Sequence, residues 1–212
     1  MNLPNRITLA RICMIPVFVV VFYCGLLTPW CYLASAAVFL LAASTDAIDG
    51  HIARSRHLVT DLGKFLDPIA DKVLVSTAFI LMLTVPVPFA VHPFGTYGLI
   101  VAGVCVALIL ARELIVGGLR MIAAGKKVVL AADKLGKIKT TLQDAAIALL
   151  LASMPFLILA EGAPNHSLYI GGLVVAYIGL ACFVLCTLFT LISGINYLVK
   201  NKTVFKSEEE SK

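Results

Sequence analysis

Asp46, Asp49, Asp67 and Asp71 are the residues with the clearest chemistry to offer in this chain. Their steps of three and four are the spacings that bring side chains onto one face of a helix. Asp46 and Asp49 would share a face at the end of one helix. Asp67 and Asp71 would share a face at the start of the next, with Gly63 one turn earlier. The connector is short, so the two faces can meet. Four carboxylates gathered without counter-charge repel one another, and a divalent cation, or two, removes the repulsion. Oxygen donors without Cys or His favour a hard ion, Mg²⁺ or Mn²⁺. Gly50 and Gly63 suit a ligand approaching the backbone closely, and Arg54 suits a bidentate grip on phosphate. Carboxylates, hard metal, glycine and arginine together describe a metal-assisted phosphoryl-transfer centre. A solvated loop pairing the acids with Arg54, Arg56, Lys64 and Lys72 would explain any one aspartate, but poorly explains four at these spacings.

A second cluster is cationic. Arg112, followed by Glu113, lies about two turns inside the end of an apolar run, and Arg120 follows eight residues on, close to the same helix face. Lys134, Lys137 and Lys139 precede the next run. Arg112 could snorkel or pair with Glu113. Cations in a cavity beside a metal centre also suit the phosphate of a substrate, and that reading is preferred.

The elements that must position these groups are membrane helices. The chain has 212 residues, of which 60% are hydrophobic and 14% charged, far less charge than a soluble domain carries. The apolar residues fall in blocks long enough to span hydrocarbon. Six spans are expected, near 8–27, 32–49, 66–87, 97–119, 139–160 and 168–199. The last is longer than a bilayer requires, so it must tilt, protrude or begin with a segment at the surface. With six spans, all 17 Lys and Arg fall on one side or on span ends facing it. The opposite loops, near 28–31, 88–96 and 161–167, hold no Lys or Arg, only Glu161, His92 and His166. The positive-inside rule then puts both termini and the aspartates in the cytoplasm. The net charge of +5 suits an anionic leaflet or substrate on that face.

One domain over residues 1–212 is expected, with an interfacial segment near 1–8 and a charged tail near 200–212. The six cysteines form no C-x-x-C pair and have no histidine at metal-ligand spacing, and read as small apolar residues. Arg11 interrupts the first apolar run and no A-x-A-like site follows, so a cleaved signal peptide is not expected. Gly125-Lys126-Lys127 lacks the glycine spacing and the Ser or Thr of a phosphate-binding P-loop.

The pattern D-x2-D-G-x2-A-R-x8-G-x3-D-x3-D resembles the signature of the CDP-alcohol phosphotransferase family, with Asp46, Asp49, Gly50, Ala53, Arg54, Gly63, Asp67 and Asp71 filling every fixed position. The resemblance implies the family's all-α fold of six transmembrane helices. Outside the signature, Asn2–Thr8, Ala111–Val116 and Gly136–Thr140 are similar to segments of the bacterial branch that uses glycerol 3-phosphate as acceptor.

By the resemblance, the substrates are CDP-diacylglycerol, entering from the inner leaflet of a bacterial inner membrane, and glycerol 3-phosphate. Asp46, Asp49, Asp67 and Asp71 would be metal ligands, and Asp71 also the general base. Gly50, Ala53, Arg54 and Gly63 would border CDP-diacylglycerol, while Arg112, Arg120 and Lys137 would hold the acceptor phosphate. A homodimer is implied, and no nucleic-acid partner. Other acceptors (inositol phosphate, serine, phosphatidylglycerol) remain alternatives. From other classes, a divalent-cation channel or transporter and a non-catalytic membrane scaffold also remain. The acids cluster at one end of the spans, no polar path leads to the far side, and no internal repeat is present, which weighs against transport.

Overall fold

The computed structural model describes residues 3–55, 61–91, 93, 95–125, 134–162 and 166–200; side chains at 3–8, 46–55, 61–68, 71, 121–125, 134–135, 161–162, 166, 198 and 200 lie outside that description. Among the described residues the fold is all-helical, with α1 Leu3–Cys24, α2 Trp30–Ser55, α3 Asp61–Thr84, α4 Gly95–Gly125, α5 Lys134–Gly162 and α6 His166–Lys200. Among the described residues, three helices contain stretches long and apolar enough to cross a membrane: Gly95–Arg120, Gly136–Ala160 and Ser167–Tyr197. The described part of the other three carries shorter apolar stretches, Leu9–Cys24, Trp30–Thr45 and Lys72–Thr84.

The helices outrun the apolar blocks read from the sequence. α2 continues to Ser55, α4 to Gly125, and α5 begins at Lys134. Apolar runs mark where a helix needs lipid around it; backbone hydrogen bonding continues past that boundary. The lead-in expected near residues 1–8 is helical from Leu3 and continuous with α1. Pro4 falls in the first turn, where its missing N–H has no helical partner to lose. Residues 1–2 and the tail from 201 lie outside the described residues.

α6 is one unbroken helix of 35 residues, so a separate surface-lying start within it is excluded. At 1.5 Å per residue it is about 52 Å long against roughly 30 Å of hydrocarbon. It therefore tilts or protrudes.

Packing follows the apolar faces. α5 and α6 form the most extensive pair; α2 packs on α5, α4 on α6, α3 on α4, and α1 on α2 and α3. The core runs through all six helices: Phe18 and Phe22, Phe39, Leu74 and Phe79, Ile109, Ile147 and Leu150, and Phe183 with Cys186. Aromatic rings seed it, with Phe18 6.2 Å from Phe39 and Phe79 5.4 Å from Phe183 between ring centres. The outer surface is apolar as well. Val101, Val104, Leu114, Ile178, Leu188 and Ile195 are exposed, an arrangement stable against lipid and aggregation-prone in water. The six cysteines are free thiols, which agrees with their reading as apolar fillers.

Candidate functional site

The eight signature positions lie at facing helix ends. Asp46, Asp49, Gly50, Ala53 and Arg54 occupy the last three turns of α2, and Gly63, Asp67 and Asp71 the first three turns of α3. The two helices are in contact. Their register keeps Asp46 with Asp49 and Asp67 with Asp71 on common faces. The side chains of all eight lie outside the described residues, as does the connector 56–60. Two described neighbours bracket the site. Thr45, immediately before Asp46, accepts a hydrogen bond from Nε of Arg11 at 3.2 Å, and Arg11 is only 1% exposed. Lys72, immediately after Asp71, crosses to α4 and donates to the Glu113 carbonyl at 3.0 Å. The arginine that interrupts the first apolar run is thus buried against the helix that carries the first two aspartates.

Of the cationic cluster, Arg112, Glu113, Arg120, Lys137 and Lys139 have described side chains, and that of Lys134 lies outside the described residues. Arg112 and Glu113 sit on α4 with their side chains largely buried, and the Arg112 Nη1 lies 3.4 Å from the Glu113 Oε1. The ammonium of Lys139, from α5, donates to the same carboxylate oxygen. Arg112 Nη2 donates to the Ser193 hydroxyl on α6 at 2.7 Å. Glu113 is therefore the node where α3, α4 and α5 meet, and Arg112 is the bridge to α6. Arg120, two turns further along α4, lies over the ring of Tyr197 with its guanidinium carbon 5.6 Å from the ring centre, within cation–π range. Its charge also repels that of Arg112.

The structure separates the three cations expected to act together. Arg112 and Arg120 lie on one side of α4 toward α6. Lys137 is exposed in the first turn of α5, where its carbonyl accepts hydrogen bonds from Thr140 and Thr141. The α5 lysine that reaches Arg112 and Glu113 is Lys139, 3% exposed. Two residues rotate a helix by about 200°, so Lys137 and Lys139 point to opposite sides. A heptad of apolar positions counted from Lys139 would have marked it as inward.

Beside the node is a small cavity of about 30 Å³ lined by Lys72, Val75, Glu113, Thr140, Gln143 and Asp144. That is room for a water among polar groups. Reading the sequence also passed over Ser193 and Tyr197. Polar side chains in an otherwise apolar span were the available signal, since such groups are costly there without a partner. Among the described residues no group of three or more His, Cys, Asp or Glu could hold a metal ion; the aspartates fall outside that set.

Successive helix ends with paired acids, and a largely buried arginine on a helix that packs on one of them, suit an enzyme that moves a phosphorylated group at a membrane. Residues 1–185 match the CDP-alcohol phosphatidyltransferase family, and the chain belongs to it. Relatives cover nearly the whole chain. The CDP-diacylglycerol–glycerol-3-phosphate 3-phosphatidyltransferase of Bacillus subtilis (strain 168) is 39% identical, over 97% of this chain and 98% of its own. Proteins with the same description from Shigella flexneri serotype 5b (strain 8401) and Rickettsia bellii (strain RML369-C) are each 37% identical. They cover 93% and 96% of this chain, and 93% and 97% of their own.

Proposed function

We propose that the protein transfers the phosphatidyl group from CDP-diacylglycerol to glycerol 3-phosphate, giving phosphatidylglycerophosphate and CMP. The observation that carries this reading is near-full-length similarity to three enzymes of that description, joined to an unbroken eight-residue signature. The buried Arg112 and the neighbouring Arg120 support a phosphorylated acceptor over neutral inositol, serine or choline.

The donor set of Asp46, Asp49, Asp67 and Asp71 fits Mg²⁺ or Mn²⁺: all oxygen, and paired by helix register at the successive ends of α2 and α3, two helices in contact. Bound there, one or two such ions would supply positive charge for the pyrophosphate and the leaving phosphate. The protein's own groups carry the rest. Asp71 accepts the proton of the attacking glycerol 3-phosphate hydroxyl. The hydroxyl oxygen forms a bond to the phosphorus that bears diacylglycerol, the bond from that phosphorus to the CMP oxygen breaks, and CMP leaves. Arg54, with Gly50, Ala53 and Gly63, borders the pyrophosphate and cytidine. Arg112 and Arg120 hold the acceptor phosphate, and Lys139 joins them through Glu113; Lys137, exposed on the other side of α5, is left out of that grip. Excess EDTA should abolish turnover, and Mg²⁺ or Mn²⁺ added back should restore it; turnover persisting through chelation would remove the metal from this scheme.

All six helices are read as spans of a single domain, residues 1–212. Both termini and the aspartates face the cytoplasm of a bacterial inner membrane, and the protein works as a homodimer. CDP-diacylglycerol then reaches the site laterally from the inner leaflet. The test is CMP release by purified protein with CDP-diacylglycerol and Mg²⁺, comparing glycerol 3-phosphate with inositol phosphate, inositol and serine. Turnover confined to glycerol 3-phosphate is expected. Turnover confined to another acceptor would discard the acceptor assignment while keeping the phosphotransfer, and no CMP from any acceptor would discard the enzyme reading.

A further inference from the structure

The last turns of α6 hold both arginines of the cationic cluster, and they lie beyond residue 185, where the family match stops. Three residues at positions i, i+1 and i+4 form the contact. Ser193 is 2% exposed and its hydroxyl accepts the 2.7 Å hydrogen bond from Arg112 Nη2. Gly194 lies against the aliphatic stem of the same arginine: a Cβ at this position would sit 2.9 Å from Arg112 Cγ and 3.6 Å from Nε. Tyr197 is 6% exposed and presents its ring to Arg120.

These contacts fix where the two guanidinium groups stand. An arginine loses much rotamer freedom when its head is held, and a planar head delivers two parallel hydrogen bonds only if it is oriented beforehand. Arg112 is held at Nη1 by Glu113 and at Nη2 by Ser193, while its buried Nε–H has no acceptor among the described residues. A buried donor left over in this way is costly unless a ligand completes it. A phosphate monoester oxygen is suited to it, and the flat face of Gly194 lets the stem lie close enough to α6 to present that edge.

We propose that Ser193, Gly194 and Tyr197 are positioning residues that set the acceptor-phosphate site by holding Arg112 and Arg120. The proposal rests on the acceptor reading above, in which those arginines bind phosphate. It assigns selectivity for a phosphorylated acceptor partly to the end of α6, a helix whose sequence reads only as a long apolar span.

The experiment is steady-state CMP release in detergent, with each substrate varied in turn. Ser193→Ala should raise the glycerol 3-phosphate KM about tenfold, the loss expected for one hydrogen bond to a charged group. The CDP-diacylglycerol KM and the melting temperature should hold near wild type. Ser193→Thr, which keeps the hydroxyl, should restore most of the loss. Gly194→Ala should raise the same KM, and Tyr197→Phe should affect it less than Tyr197→Leu, because only the former keeps a ring under Arg120. In an Arg112→Ala background, Ser193→Ala should add little, since residues acting through one group are not additive.

An unchanged acceptor KM in Ser193→Ala and Gly194→Ala would overturn the proposal. So would equal rises for both substrates, or full additivity with Arg112→Ala. If wild type turns over inositol phosphate in place of glycerol 3-phosphate, the acceptor reading fails and the same series on inositol phosphate decides the role of α6. Turnover with unphosphorylated acceptors alone would overturn both.

Discussion

Arg112 occupies a demanding position for a cation. It is a cation inside the apolar stretch Gly95–Arg120, tied to Glu113 and Ser193. Keeping a charge at that depth calls for a function or a strong partner, and here it has partners on two helices and a donor to spare. Arg112→Ala should raise the glycerol 3-phosphate KM by about ten- to a hundredfold, the range for lost hydrogen bonds from a charged group. CDP-diacylglycerol binding, measured by its own KM, should change little; equal losses would take Arg112 out of the acceptor site. Asp71→Asn keeps the size and one oxygen of the side chain but removes its basicity. Turnover should fall at least about a hundredfold, with CDP-diacylglycerol still bound in a direct binding assay. Near-normal turnover would exclude Asp71 as the base.

At the scale of elements, α5 and α6 are the pair that brings the cationic cluster together, because Lys139 and Ser193 are delivered from them. They pack closely through small residues, as helices in a membrane must when no hydrophobic effect drives them together. A Cβ on Gly172 would lie 2.9 Å from Phe156 Cβ and 3.3 Å from the Leu157 backbone nitrogen, whereas one on Gly171 would meet nothing within 4 Å. Gly172→Val should therefore destabilise the protein by about 1–3 kcal/mol through overpacking. Gly171→Ala should be neutral or slightly stabilising, as alanine is the better helix former. Thermal unfolding in one detergent compares the two; equal melting temperatures would mean that α5 and α6 pack less tightly there.

At the scale of the whole molecule, the fold sends the starts of α5 and α6 to opposite ends, since α5 is a single crossing between them. The proposed positive-inside orientation would put Lys137 on the cytoplasmic side and Ser167 on the outer side; both are exposed. In a version lacking the six native cysteines, Ser167→Cys should react with a membrane-impermeant maleimide in intact cells. Lys137→Cys should react only after permeabilisation. The reverse pattern would invert the topology and move the aspartates away from the inner leaflet.

The membrane class, the helix series and the aspartate signature were legible in the sequence because each is local. Hydrophobic run length reports the cost of backbone in lipid, and spacings of three and four report a helix face, with no need to know what lies opposite. The cationic cluster was legible only in part. Arg112 and Arg120 were marked by their charge inside and at the end of an apolar run, whereas the charges at Lys134, Lys137 and Lys139 carry no information on which way each one turns, and Lys137 was named only through the family resemblance. Only the tertiary packing put Lys139 and Lys72 on Glu113, closed Arg11 against Thr45, and laid Ser193 and Gly194 along Arg112. Those pairs are separated by 26 to 82 residues (194 − 112 = 82 for Gly194 and Arg112), and what joins them is the order in which six helices pack, a property of all their faces at once.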